Sequence, residues 1–160
     1  MKSFVLSMSF LIFSFVCAGA QTVGLVLYFE GGDTTADNGR SIDRFLSASM
    51  GDLFDMGFIA TNETPKPGNE SDYLSFAPDD EQREAGLDYT IAILVKFAEN
   101  NILAKSLYKL MDVKSGELIK EGFVDVNNPG SKERTQLDRA FFIAGSAVIS
   151  DLKPHIRSFY

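Results

Sequence analysis

The chain has 160 residues, 45% of them hydrophobic, and 15 basic residues against 22 acidic ones give it a formal net charge of −7 at pH 7. This acidic balance excludes nucleic acid or an anionic membrane surface as the expected partner, because both require a basic patch on the protein. The single cysteine excludes an intrachain disulfide framework and a multi-thiolate metal site.

The N-terminus has the pattern of a secretory signal peptide. Met1-Lys2 provides a short positive start, residues 4–16 form an apolar run, and Ala18-Gly19-Ala20 supplies the small residues that a signal peptidase reads. The pattern predicts a signal peptide over residues 1–20 and one domain over residues 21–160. Export predicts a periplasmic location.

A lipoprotein signal that ends at Cys17 is the alternative. It is disfavoured because the bulky Phe15 and Val16 stand where lipoprotein signals carry a small residue. Lipidation at Cys17 would anchor the chain in the envelope, and contact with a membrane is expected only in that case.

Residues 22–29 are apolar at nearly every position, which is typical of a strand covered on both faces and central in its sheet. From Asn38 the apolar period becomes helical. Asp37 or Asn38 suits the N-cap of this helix, and Gly57 suits its left-handed C-terminal position. The predicted buried stripe consists of Ile42, Phe45, Leu46, Met50, Leu53 and Phe54.

A second, short strand is predicted over residues 58–60, followed by a polar loop over residues 61–75 that contains two prolines. Asp79 and Gln82 have the spacing of a capping box, which predicts a short helix through about Ala85.

Residues 89–97 alternate two apolar sets and predict a third, internal strand. Residues 102–113 and 117–126 predict an antiparallel hairpin with a partly solvated outer edge. A last helix is predicted from about Lys132 and ends before Pro154. Its predicted buried stripe consists of Leu137, Phe141, Ala144, Val148 and Leu152.

The order of these elements, β-α-β-α-β-β-β-α, predicts an α/β (α+β) domain with a single mixed sheet of about five strands and three helices. Charged residues of the hairpin are the predicted binding residues, because strand alternation directs them to solvent beside an edge that invites pairing. They are Lys105, Lys109, Lys120 and Glu121, with Asp125 beside them.

Four stretches of the sequence resemble a known family: "VGLVLYFE" (23–30), "DMGF" (55–58), "EAGLDYTIAILVKF" (84–97) and "AKSLYKLMDVKSGELIKEGFVDV" (104–126). Two motifs match it, a glycine-acidic-tyrosine turn at residues 86–89 and a hairpin turn at residues 112–117. The chain is similar to the domain shared by the curli secretion protein CsgG, the penicillin-binding-protein activator lipoproteins and the N-terminal domain of TolB. The resemblance implies a non-catalytic envelope binding or assembly module without an active site or cofactor.

Residues with catalytic or metal-binding side chains are interpreted as structural. His155 is the only histidine and lacks an acidic neighbour or a nucleophile in sequence. The segment Glu30-Gly31-Gly32-Asp33 lacks a phosphate-loop motif and is interpreted as a turn. The carboxylates Asp33 and Asp37, and the cluster Asp79, Asp80, Glu81 and Glu84, are interpreted as turn and helix-start residues rather than calcium ligands.

The expected function is therefore docking of a protein partner in the envelope, with no catalytic residue, metal or cofactor. A self-associating structural subunit is the first alternative, and a small-ligand enzyme that uses carboxylates near Asp33 is the second. Phe142, Phe159 and Tyr160 lie off the predicted helical stripe and are candidates for a contact patch.

Export should remove residues 1–20 without lipidation, because small residues precede the predicted cleavage point and bulky ones precede Cys17. The intact mass of the exported protein tests this prediction. A species that begins at Cys17 and is heavier by acyl chains would contradict it and assign the chain to the envelope lipoproteins.

Overall fold

The computed structural model describes residues 20–31, 36–98, 102–125 and 134–156, with the side chains of residues 36–38 and 134 left aside. The predicted signal peptide up to residue 19, Asp33, Phe159 and Tyr160, and the side chain of Asp37, lie outside the described residues. The strands are β1 (Thr22–Glu30), β2 (Ile59–Asn62), β3 (Lys66–Pro67), β4 (Tyr89–Ala98), β5 (Ile102–Asp112) and β6 (Leu118–Val124). The helices are α1 (Ala36–Asp55), α2 (Glu70–Ser75), α3 (Asp80–Glu84) and α4 (Arg134–Leu152).

All six strands form one mixed sheet in the order β2-β1-β4-β5-β6, with β3 pairing the far end of β1. β1 runs parallel to β2, β3 and β4, whereas β4, β5 and β6 are successively antiparallel. The single mixed sheet, the internal position of β1 and β4, and the hairpin at one edge confirm the predicted fold class.

The loop predicted over residues 61–75 is wrong in part, because β3 and α2 lie within it. α2 begins with a complete capping box. The Asn69 side-chain oxygen accepts from the backbone N–H groups of Ser71 and Asp72 at 2.8 and 3.2 Å, and the Asp72 carboxylate accepts from the Asn69 N–H at 2.8 Å. These bonds satisfy N–H groups that helix geometry leaves unpaired, so a short polar stretch forms a helix.

α1 ends at Asp55, and Gly57 takes the left-handed position that the sequence predicts for it. The glycine has φ +87°, its N–H donates to Phe54 O at 2.9 Å, and the Phe58 N–H donates to Leu53 O at 3.0 Å. This pair of bonds is the Schellman arrangement, which favours glycine at the left-handed position. The turn directs Phe58 back into the core and starts β2 beside β1.

The buried face of α1 differs from the prediction at Phe54, whose side chain is 51% exposed. α4 packs on the side of α1 that carries Ser41, Ala48 and Ser49, all of them buried. The buried arc is therefore rotated away from Phe54, which lies outside it on a helix of 3.6 residues per turn. The predicted positions Ile42, Phe45, Leu46 and Leu53 are buried, and Met50 is partly buried.

α1 and α4 run in the same direction and come into close contact at Gly145. Arg40 pairs with Asp138 at 3.0 Å near the start of both helices, and the Ser49 hydroxyl donates to Gly145 O at 3.2 Å further along. A Cβ atom at Gly145 would overlap Phe45 O. The close packing of α1 on α4 therefore depends on the absence of a side chain at Gly145.

Among the described helices, none has the length and apolar content needed to cross a bilayer.

β4 is buried on both faces. Tyr89, Ile91, Ile93 and Val95 pack against the layer of α1 and α4, while Ala92 and Leu94 pack against a second cluster that includes Tyr73 of α2. This burial confirms the prediction of an internal strand. The predicted stripe of α4 is confirmed at Phe141, Ala144, Val148 and Leu152, with Leu137 half-buried.

Replacing Gly145 with alanine should lower the free energy of unfolding by about 1–3 kcal/mol, because the new methyl group forces the two helices apart. Gly51→Ala is the matched control. Gly51 is an exposed position of α1 with no atom within 4 Å of a built Cβ, so alanine should stabilise the domain by about 0.5–1 kcal/mol. Urea denaturation measures both variants, and equal effects of the same sign would contradict the close crossing.

Candidate interaction surface on the hairpin

The β5–β6 hairpin presents one face to α4 and the other to the side of the sheet that carries α2. The register pairs Met111 with Leu118, Lys109 with Glu121, and Leu107 with Phe123. Leu107 packs against the cluster of Tyr73, so Leu118, Glu121 and Phe123 lie on the α2 side. We call the surface formed by Lys105, Leu118, Glu121 and Phe123 the hairpin face.

The hairpin face is unusually apolar for an exposed strand. Phe123 is 56% exposed and Leu118 is 50% exposed. Ile119, 37% exposed, lies beside them where the register slips between Leu110 and Met111 and leaves it without a Cα partner in β5. Large apolar side chains that lie together on a surface mark a site of interaction more often than isolated ones do.

A cation lies over the exposed aromatic ring of this face. The Nζ atom of Lys105 is 4.0 Å from the ring centroid of Phe123, which is within the range of a cation–π contact. Leu74, at the end of α2, is 64% exposed and adds an apolar side chain on the same side of the sheet. The face therefore combines apolar area with one charge of each sign, from Lys105 and Glu121.

Lys109 corrects the sequence prediction, because it is 6% exposed rather than solvated. Its Nζ atom donates to Leu74 O at 3.1 Å and to Phe76 O at 2.9 Å, and it lies 5.1 Å from the ring centroid of Tyr73. Burial lowers the pKa of this ammonium group, and the charge of Glu121 acts in the opposite direction. α2, which the sequence analysis missed, covers β5 at this point.

The predicted binding residues are consequently split between three environments. Lys105 and Glu121 lie on the hairpin face, while Lys109 is buried beneath α2. Lys120 lies on the opposite face, where its Nζ atom is 3.8 Å from the Asp151 carboxylate of α4. Asp125 is exposed just beyond β6. A binding role for the four residues stays a prediction.

Tyr108 connects the hairpin to α4. Its hydroxyl group hydrogen-bonds to the Asp151 carboxylate, and burial together with this bond raises the pKa of Tyr108. Gly122 lies directly across the strand pair from Tyr108, and a Cβ there would overlap the phenol oxygen. The small residue leaves room for the tyrosine to cross β6, so α4 holds the hairpin in one orientation.

Lys96 holds α2 on the other side of the sheet. Its Nζ atom pairs with the carboxylates of Glu30, at 3.2 Å, and Glu70. The hydrogen bond from Lys96 lowers the pKa of Glu70. Glu30 therefore has a structural partner, and Gly31 follows it with φ +76°, which agrees with the predicted turn.

A polar groove lies between β1 and α3, away from the hairpin. Two adjoining cavities of about 500 and 410 Å³ share Glu63, Lys66, Asp79 and Gln82. Glu63 accepts from the Gln82 amide at 2.7 Å and from Lys66 at 3.4 Å, so these groups bond to one another and hold the chain around β2 and β3 against α3.

The predicted cap of α3 is confirmed at Asp79, whose side chain accepts from the Gln82 N–H at 2.9 Å. The reciprocal half of the predicted capping box is absent from the helix start, because the Gln82 side-chain oxygen accepts from the Thr90 hydroxyl at 3.4 Å, while its amide nitrogen donates to Glu63. Asp80 pairs with Arg83 at 2.8 Å. Within the described ranges, no three histidine, cysteine or carboxylate side chains come together as a possible metal site.

The sequence matches no protein-family model and no curated protein sequence. The fold is similar to that of TolB from Acinetobacter baumannii, with 15% identity, a TM-score of 0.45 and 85% of this chain covered. This chain spans 29% of that TolB chain.

Two further solved structures are similar to this chain. A PelC dodecamer from Paraburkholderia phytofirmans has 15% identity and a TM-score of 0.48 over 88% of this chain and 91% of that one. The LpoB C-terminal domain from Salmonella enterica has 17% identity and a TM-score of 0.40 over 67% of this chain and 82% of that one. Identities this low relate folds and say nothing of activity. TolB and LpoB belong to the family that the sequence resembles, CsgG is not among these structures, and the family resemblance of this chain stays a prediction.

Replacing Lys109 with glutamate should destabilise the domain by about 3 kcal/mol or more, because a buried carboxylate would then face two carbonyl oxygens without a counter-ion. Lys120→Glu is the matched control on the same hairpin. Its side chain reaches solvent, and the approach to Asp151 should cost at most about 1 kcal/mol. Urea denaturation of both variants provides the measurement, and a Lys109 variant as stable as the control would show that α2 does not depend on this ammonium group.

Proposed function

We propose that this chain is a non-catalytic binding module of the cell envelope that docks a protein partner through the hairpin face. The observation that carries the proposal is the exposure of Phe123, Leu118 and Ile119 on the last strand of the sheet. Aromatic side chains at the centre of protein interfaces contribute a large share of the binding free energy. An apolar edge strand that stayed free in solution would be prone to aggregation.

The electrostatics of the hairpin face suit a protein partner better than a small ligand. Lys105 and Glu121 lie beside Phe123 on an open strand surface, so a partner would meet an apolar centre between charges of opposite sign. Such an arrangement selects among partners and fixes their orientation more than it adds affinity. Small ligands are usually enclosed in concave sites instead.

The non-catalytic part of the proposal is supported by the partners of the polar side chains. Lys109 binds the end of α2, Tyr108 binds α4, and Lys96 joins two carboxylates. In the groove, Glu63 and Gln82 bond to each other. These groups stabilise the fold, and a catalytic group needs its reactive atom free for a substrate. The predicted signal peptide supports an envelope location.

A self-associating subunit is the second candidate function, and it is favoured by the outer edge of β6, which pairs with no other strand among the described residues. An edge strand offers backbone N–H and C=O groups to any strand that lies beside it, and this includes the same strand of a second copy.

Replacing Phe123 with aspartate should reduce the capture of the partner from envelope extracts by about tenfold or more, since truncated aromatic anchors commonly cost 2 kcal/mol or more. Phe54→Asp is the matched control, because Phe54 is 51% exposed on α1 and lies on the other side of the sheet. Quantitative affinity capture with both variants gives the measurement, and melting curves should show both of them folded. Equal capture by both variants would exclude the hairpin face as the docking site.

A further inference from the structure

The outer edge of β6 is open in the part of the chain that the structure describes. β6 ends the strand order β2-β1-β4-β5-β6 and pairs there with β5 alone. Half of its backbone N–H and C=O groups point away from β5, as in every edge strand of an antiparallel pair. Its side chains are half-exposed or exposed along its whole length. An occupant for this edge must supply backbone groups and apolar side chains together.

The sequence of β6 is symmetric in its polarity. The strand reads Leu-Ile-Lys-Glu-Gly-Phe-Val over residues 118–124, with two apolar residues at each end and Glu121 in the centre. Two copies of such a strand, placed antiparallel about a twofold axis at Glu121, bring Ile119 of each copy opposite Phe123 of the other. Isologous contacts of this kind require a surface that is complementary to itself.

We infer that the partner of this edge is a second copy of the chain, joined by antiparallel β6–β6 pairing centred on Glu121. The inference rests on the proposed function of the hairpin face and names its partner. The register places Ile119 opposite Phe123 of the second copy, and the same contact recurs on the other side of the axis. Apolar side chains that lie directly opposite each other on neighbouring strands stabilise the pairing of those strands.

The opposite face of the paired strands is compatible with this register. Lys120 would lie across from Gly122 of the second copy, so no side chain of the facing β6 opposes the lysine. Lys120 reaches toward Asp151 of its own α4, and Tyr108 fills the space above its own Gly122. Each α4 contacts its own hairpin through Tyr108 and Lys120.

The centre of the register opposes association. Glu121 would face Glu121 of the second copy, and like charges directly across a strand pair are destabilising. Lys109 lies across from Glu121 within each chain, so the row across four strands alternates as lysine, two glutamates and lysine. The two lysines reduce the repulsion without removing it. The pairing is therefore weak and reversible, as expected for an interface smaller than about 1,200 Å².

Sedimentation velocity of the exported protein over a range of concentrations tests the inference. The expected result is a reversible monomer–dimer equilibrium. Glu121→Gln should lower the dissociation constant by about two- to fivefold, because it removes the facing charges. Phe123→Asp should raise it by about tenfold or more, whereas Phe54→Asp, on the other side of the sheet, should leave it unchanged. Non-specific hydrophobic association would not show this decrease of the dissociation constant in the Glu121→Gln variant.

A cysteine at the axis tests the register directly. Residues directly opposite in an antiparallel pair have Cα atoms about 4.5–5.5 Å apart, which lies within the range of about 4.4–6.8 Å that a disulfide requires. The only cysteine of the chain, Cys17, lies in the predicted signal peptide. Glu121→Cys should therefore form a disulfide-linked dimer under mild oxidation, and Ser150→Cys, an exposed control on α4, should form no disulfide-linked dimer.

A protein that stays monomeric up to about millimolar concentration, where even weak pairing is detected, or a dimer that Glu121→Cys fails to link, overturns this inference. The proposed function is decided separately by the dependence of partner capture on Phe123. A monomer that still captures another protein through Phe123 retains the function and loses the homodimer.

Discussion

The need to cover β4 on both faces determines how the rest of the molecule is arranged. Residues 89–95 are all buried, and a strand buried on both faces requires a layer on each side of the sheet. α1 and α4 form one layer. The other is assembled from α2, α3 and the chain around β3, which contribute far fewer residues. The two sides of the sheet are therefore covered unequally, and on the α2 side the described elements stop short of β6.

Lys109 lies at the boundary of that smaller layer, where a charged side chain is buried. A lysine in mid-strand would normally face water, but α2 lies over it, and the ammonium group is retained through two carbonyl bonds at the helix end. Cations suit the C-terminal ends of helices, where carbonyl groups lack partners. One strand further out, the apolar ring of Phe123 remains exposed to solvent, because none of the described helices covers it. On the hairpin, the charged Lys109 is therefore buried and the apolar Phe123 is exposed.

These environments explain which parts of the structure the sequence could predict. The helix end at Gly57, the cap at Asp79 and the internal strand β4 depend on local sequence patterns, and these predictions are confirmed. The burial of Lys109 and the exposure of Phe54 depend on where a distant helix packs, and local periodicity does not contain that information. The Asn69 and Asp72 spacing was a local signal for α2 that the sequence analysis missed. The apolar residues of β6 are also visible in the sequence, but the charged positions of the hairpin, among them Lys109 and Lys120, were predicted as the binding residues instead.

The parallel pairing of β1 with β4 has a consequence for how the chain reaches this fold. The Thr22 N–H donates to the Asp88 carboxylate across a separation of 66 residues, whereas β4, β5 and β6 are neighbours in sequence. Closing a loop of that length costs conformational entropy before the strand contacts compensate for it, so parallel pairings form slowly. Until β1 docks, the inner edge of β4, the most apolar strand in the sheet, is open to other chains. The order in which the strands assemble therefore sets the interval during which this protein is most exposed to aggregation.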